Sequence, residues 1–387
     1  MQPYVTGLRP DGHVGGRSSQ GESDDRVGAR GVGGMTAGVS RGEPAVGRRS
    51  SGPGWLTDLK YRFPGRYMAS WAALGLLVVV AAFAWPASLH GSSILVVSAL
   101  AGVLALAAFG QMLVIMIGGI DLSVSAILAA TAGVVVHYDV PGSNLALVIL
   151  AGVLVAVVIS LVNGVFISVL RLNALIVTLA TFGIVTGAIG LWTGVAFSVT
   201  GQAPASLQSL AQKSTLNLNA CFLIAVAVAI VLAAVLTRTR AGRQVAAVGS
   251  NRRAAHALGV RDTLVEMTVF AAVGLLYGIA GVLLAGFIGT PDVTVGSPYQ
   301  LATITAAAIA GVALNGGPGS VASVLSACVF LTLLDQALVI AGLSAGARVI
   351  VQGLALVVAV AAITLGQYGL AGLRRGRRLI ATIRRRA

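Results

Sequence analysis

Apolar runs dominate this chain, and their length decides its class. They recur at 71–89, 94–118, 122–136, 145–170, 174–195, 220–236, 267–288, 301–314, 321–341 and 350–365. A helix needs about 20 such residues to cross a bilayer. No soluble domain of 387 residues manages with 10% charged and 57% hydrophobic residues. The runs are long and unbroken, unlike the alternating segments of a membrane β-barrel. They predict an all-α polytopic membrane protein of about ten transmembrane helices. The runs 122–136 and 301–314 are short, which predicts short or broken helices near Gly118-Gly119 and Gly316-Gly317.

The formal net charge of +14 raises the question of nucleic acid. The placement of the charge answers it. Basic residues gather in 1–70, at Arg171, in 237–264 and in 374–386, between the apolar runs rather than on one face. If those regions are cytoplasmic, this is the positive-inside pattern, and no nucleic-acid partner is expected. The expected organisation is a disordered cytoplasmic tail at 1–66, a transmembrane domain at 67–370 with a cytoplasmic loop at 237–264, and a basic cytoplasmic tail at 371–387. Both termini then lie in the cytoplasm of a cell-membrane protein. The arginines from Arg374 also suit anionic lipid. The polar stretch 198–219 is expected outside, and 290–299 reads as a short outer connection. Cys221 and Cys328 sit in separate apolar runs, and four His are scattered, so neither a disulfide framework nor a metal site is expected.

Asp121 interrupts the apolar stretch 111–136, with Gly118 and Gly119 just before it and Ser123 and Ser125 just after. Glycines permit a break, and Asp121 can cap the next helix through the N–H of Ser123 or Val124. A charge in such a setting also marks a candidate solute path. Short, glycine-interrupted segments in both halves point the same way. GGIDLSVSAIL at Gly118 is echoed by GGPGSVASVL at Gly316 across a one-residue gap, although shared helix-start chemistry explains the echo equally well.

The basic loop predicts a small helix from Arg252 to Leu258, capped by Ser250 or Asn251 and stopped at Gly259. About two turns are not stable alone in water. Either a headgroup layer or a groove on a cytoplasmic partner must hold them.

Several stretches together resemble the permease subunits of ribose/xylose-type ABC sugar importers. They are Gly118-Gly-Ile-Asp-Leu-Ser123, Asn163-Gly164, NALIVTLAT from Asn173, Thr239-Arg-Ala-Gly-Arg243, Gly249-Ser-Asn-Arg-Arg-Ala-Ala255 with Gly259, and YQLATITAAAIAGVALNGGPG from Tyr299. They span roughly 70–370 in the family's order. The resemblance implies a second permease subunit, homo- or heterodimeric, with cytoplasmic ABC ATPase subunits and an extracytoplasmic solute-binding protein. It implies that Asn251, Arg253, Ala254, Ala255 and Gly259 belong to a loop coupled to the ATPase. ATP would be bound by the partner, with no cofactor and no catalytic residue in this chain, which contains no G-x-x-x-x-G-K-[ST] phosphate loop. Arg253 stands where the family usually has an acid, Gln300 where it usually has Glu, and Asp335 where it usually has Asn.

The expected function is import of a monosaccharide, with path or helix-break candidates Gly118, Gly119, Asp121, Ser123, Asn163, Thr178, Thr303, Asn315 and Asp335. One rival keeps the architecture and carries branched-chain amino acids or nucleosides. Another is a proton-coupled secondary transporter using Asp121 and Asp335. An intramembrane enzyme has no nucleophile–base pair to support it.

Overall fold

The computed structural model describes residues 67–137, 144–193, 201–358 and 361; the tails expected at 1–66 and 371–387 lie outside these. A helix stands at the place of each expected apolar run. In chain order they are α1 (Met68–Ala84), α2 (Gly91–Met116), α3 (Val124–His137), α4 (Leu145–Gly164, running on into a π-helical turn at Val165–Val169) and α5 (Ala174–Thr193). Then come α6 (Ala205–Ala211), a hairpin of β1 (Ser214–Thr215) and β2 (Leu218–Asn219), α7 (Ala220–Arg238), α8 (Arg240–Ser250), α9 (Arg252–Ala257), α10 (Asp262–Ile288), α11 (Ser297–Ile309), α12 (Val321–Ile340) and α13 (Ala345–Val358). Among the described residues, six helices are long and apolar enough to span a membrane: α2, α4 with its π turn, α5, α7, α10 and α12.

The core is built from α2, α3, α10 and α11, whose side chains are buried almost all round. Phe109, Met112, Ile115, Ile127, Phe270, Tyr277 and Leu284 fill it. Helices come close where a side chain is missing. Gly274 of α10 lies against the backbone of Ala156 and Val157 in α4, where a Cβ would meet main-chain atoms. Such contacts carry association in lipid, where no hydrophobic effect drives helices together. The peripheral helices turn leucine and isoleucine outward: Ile176, Leu179, Ile184 and Leu191 of α5 are all exposed. A surface of this kind needs a non-aqueous surrounding. The chain is a multi-pass membrane protein.

Two sets of four helices, α2–α5 and α10–α13, repeat one plan in opposite directions. Each has a long buried helix, an irregular segment, a short buried helix and two less buried ones. Helix α2 ends beside α8, because Gly317 N donates to Met116 O (3.0 Å) and Gly249 touches the same carbonyl. Helix α10 starts at that end, where Asp262 meets Arg252. It finishes at the other end, where Ala203 N donates to Gly289 O (2.8 Å).

The echo at Gly316 is not this repeat. Residues 310–320 lead into α12, a full-length helix, and Ser320 caps it by accepting from Ser323 N (3.4 Å). The helix-start explanation accounts for the echo. The structural counterpart of GGIDLSV is GTPDVTV, from Gly289. This segment is not a plain outer connection. Gly289 lies at the C-terminal end of α3, whereas Gly296 packs on the Ser125 carbonyl at its N-terminal end. The chain between them runs back along α3, about 20 Å of helix.

Within the polar stretch, α6 and the β1–β2 hairpin order 205–219.

Candidate functional site

The segment between α2 and α3 leaves helical geometry, starting exposed at Gly118 and becoming fully buried at Asp121 and Ser123. Asp121 accepts from Ser123 N (2.8 Å) and Ser123 Oγ (2.5 Å) through one oxygen, Oδ1. Ser123 itself takes the cap position, its carbonyl accepting from Ile127 N (2.9 Å). Asp121 therefore closes an Asx turn ahead of the helix instead of capping it directly. Its Oδ2 has no hydrogen-bond partner among the described residues. The Gln111 amide, oriented by its network, donates to Asp121 O (2.9 Å) and accepts from Asp121 N (3.2 Å). The Tyr277 hydroxyl of α10 lies 3.3 Å from the same amide.

Two further helices fasten this turn. Thr181 Oγ1 donates to Asn163 Oδ1 (2.6 Å), Asn163 Nδ2 donates to Ser123 Oγ (3.0 Å), and Ser123 donates on to Asp121. This chain of donors runs from α5 through α4 to the carboxylate. Thr178 Oγ1 donates to Ala174 O (2.8 Å) and accepts from Leu122 N (3.1 Å), which has no partner within a helix. Asp121, Ser123, Asn163 and Thr178 are fully buried, so four of the sequence-selected residues meet at one joint. Buried backbone outside a helix must find such partners.

Gln300 ties the second broken segment to the first. Its Nε2 donates to Leu122 O (3.3 Å), and its Oε1 accepts from Ser125 Oγ (3.4 Å). Thr303 is buried one turn further along α11 and donates to Gln300 O (3.2 Å). Gly118 and Asn315 belong elsewhere: they lie together at the α8 end, with Asn315 exposed. Gly119 packs against Val114 and Ala174 at the start of α5. Asp335, the last of the path candidates, is only part-buried. Its side chain is 31% exposed and pairs with Arg348 of α13 (2.7 Å), with Gln352 Nε2 at 3.4 Å.

The basic loop forms two helices where one was expected. In α8, Val245 and Val248 face the core while Arg240 and Arg243 face out. In α9, Asn251 is the cap, accepting from Ala254 N (3.0 Å), and Gly259 stops the helix at φ +82°. The chain itself holds α9, an answer beyond the headgroup and partner alternatives. Ala255 is buried, Arg252 reaches Asp262 (2.7 Å) and Glu266 (2.7 Å), and His256 Nδ1 lies 3.2 Å from Asp262. Arg171, in the turn before α5, adds contacts to Asp262 (3.0 Å) and Glu266 (3.6 Å). Both acids are almost fully buried, and each lies between two arginines. A cleft of about 260 Å³ beside this cluster is lined by Gly118, Gly119, Asn173, Arg171 and Arg252, among others. Arg253, Ala254, His256, Ala257 and Leu258 remain exposed on α9, Leu258 at 85%. No three His, Cys, Asp or Glu side chains gather as a metal site among the described residues.

Sequence reasoning did not assign roles to Gln111, Thr181, Arg252, Asp262 or Glu266. Gln111 carried a signal, being a strongly polar residue inside the run 94–118, and Glu266 stood immediately ahead of the run 267–288. Arg252 carried none that separated it from Arg253.

Residues 93–360 match the family described as branched-chain amino acid transport system / permease component. The chain belongs to that family. Among similar permeases, the autoinducer 2 import system permease protein LsrC of Salmonella typhimurium is 30% identical over 292 residues, 73% of this chain and 83% of the relative. The LsrC of an Enterobacter species is 31% identical over 303 residues, 78% and 86%. The ribose import permease protein RbsC of Bacillus subtilis is 29% identical over 288 residues, 74% and 89%. No solved structure matches the chain. The match takes in both sets of four helices and the α8–α9 pair between them.

Proposed function

We propose that this permease is the membrane subunit of an ATP-driven importer for a monosaccharide. The observation that carries the proposal is α9: a short helix pinned to the base of α10 by ion pairs to two buried acids, yet leaving Arg253, Ala254, His256, Ala257 and Leu258 uncovered. An exposed leucine on a basic helix suits a protein groove, and the partner fitting it is a cytoplasmic ABC ATPase that supplies the ATP site. Relatives named for ribose and autoinducer 2 import support a small solute delivered by an extracytoplasmic binding protein. A second permease subunit completes the path, and the cell membrane holds the assembly with both termini in the cytoplasm.

Under this reading Asp121, Ser123, Asn163 and Thr178 lock a helix break instead of touching solute, since none is exposed. Thr303 supports the same joint through Gln300. Gly118, Gly119 and Asn315 form its cytoplasmic edge. ATP binding on the partner moves α9, and the helices rock between outward- and inward-facing states. A proton-coupled carrier is disfavoured: Asp335 is paired with Arg348, and no hydrogen bond links it to Asp121 among the described residues. Uptake by proteoliposomes holding the permease, ATPase and binding protein tests the proposal. Monosaccharide supplied outside with the binding protein should enter only when ATP is enclosed on the ATPase side, and its entry should be unaffected by a protonophore. Uptake driven by a proton gradient without ATP would refute it.

A further inference from the structure

We infer that Gly249 is the positioning residue through which the α8–α9 pair controls both broken helices at once. The inference rests on the proposed coupling of α9 to an ATPase and adds where that motion enters the bundle.

Three stretches of main chain meet at Gly249 with no side chain between them. The first is the end of α2: a Cβ on Gly249 would overlap the Met116 carbonyl, one residue before the chain leaves helical geometry. The second is the 310–320 loop that ends α11. Gly317 N donates to that same Met116 carbonyl (3.0 Å), and a Cβ on Gly316 would overlap the Gly249 carbonyl. The third is the last turn of α8, which carries Gly249 and joins α9 through the single residue Asn251.

The partners at this contact lead directly to the joint. Two residues beyond Met116 is Gly118, at φ +87°, where the extended segment to Asp121 begins. Gly316 and Gly317, at φ +96° and +118°, lie within the loop from α11, whose Gln300 grips Leu122. L-residues adopt such angles only at a cost, so the loop is shaped for glycine. The ion pairs of Arg252 attach α9 to α10 alone. Gly249 is therefore where a shift of α9 bears on α2 and on the α11–α12 loop together. Backbone packed on backbone has no soft side chain to absorb such a shift, so displacement is passed on.

A role in packing alone makes a different prediction. It has Gly249→Ala lose folding, ATPase binding and uptake together. A positioning role separates them. In proteoliposomes with the full permease, its ATPase and binding protein, Gly249→Ala should retain the ATPase on co-purification and keep hydrolysing ATP. Solute moved per ATP hydrolysed should fall at least tenfold. Unchanged solute per ATP overturns the inference, and so does loss of the ATPase from the folded variant. Hydrogen exchange on the wild-type complex covers the case in which the variant does not fold. Adding a non-hydrolysable ATP analogue should change protection at the Gly317 and Leu122 amides together; no change at either amide overturns the inference. Wild-type uptake that needs no ATP defeats the proposed function itself, and this inference falls with it.

Discussion

Asp121 and Asp292 make the same turn in opposite halves of the bundle. Asp121 Oδ1 accepts from Ser123 N (2.8 Å) and Ser123 Oγ (2.5 Å). Asp292 Oδ1 accepts from Thr294 N (2.8 Å) and Thr294 Oγ1 (2.9 Å). The geometry is shared, but Asp121 is fully buried and Asp292 is exposed.

That difference sets the first prediction. Asp121→Leu strands the buried Ser123 N–H, at a cost of about 1–3 kcal/mol. Asp121→Asn keeps an acceptor oxygen and should retain most of the stability. Asp292→Asn, in water, should change it by no more than about 0.5 kcal/mol. Thermal unfolding in detergent ranks the three. Equal losses for Asn and Leu at 121 would mean that the charge, not the turn, is what matters.

Thr178 is the partner of Leu122 N, so the methyl-for-hydroxyl change Thr178→Val leaves that buried donor unpaired. The expected loss is about 1–3 kcal/mol, with Thr178→Ser restoring most of it. Unfolding curves in which serine is no better than valine contradict the assignment.

Gln300→Glu keeps the acceptor for Ser125 but, when ionised, removes the donor to Leu122 O (3.3 Å). The junction of α3 and α11 should loosen, seen as faster hydrogen exchange at Leu122 and Ser123 in the variant than in wild type. Unchanged exchange there would show that the amide is not the clasp.

The fold was legible where the physics is local. Each of the six described helices long and apolar enough to cross a membrane falls on a run read from the sequence, and Asn251 and Gly259 bounded α9 through ordinary cap chemistry. Long-range pairing was not legible. Nothing in the sequence says that Arg171 and Arg252 both reach Asp262, ninety-one and ten positions away. The inverted halves escaped for a related reason. Gly316-Gly317 copies the glycines of the first break, whereas Asp292-Val-Thr294 copies its hydrogen bonds, and only coordinates separate the two. The Asp335 pairing was equally hidden, because an acid in an apolar run gives no sign of an arginine thirteen residues on.

Arg252→Ala should loosen α9 on α10 and leave Arg171 as the one arginine on Asp262 and Glu266, with His256 still beside Asp262. With the arginines partly exposed, a loss of about 1–2 kcal/mol is expected, below that of a fully buried pair. Limited proteolysis should cut between 250 and 260 sooner than in wild type. Resistance equal to wild type would mean that Ala255 packing alone holds the helix.

The most direct test of the account is co-purification of the detergent-solubilised permease with its co-expressed ABC ATPase, comparing wild type, Leu258→Asp on the exposed face of α9, and a deletion of residues 252–259. The account predicts that wild type retains the ATPase, that Leu258→Asp loses it while remaining folded, and that the deletion loses it completely. A folded wild-type chain that captures no ATPase, or a deletion that still does, would contradict α9 as the coupling element.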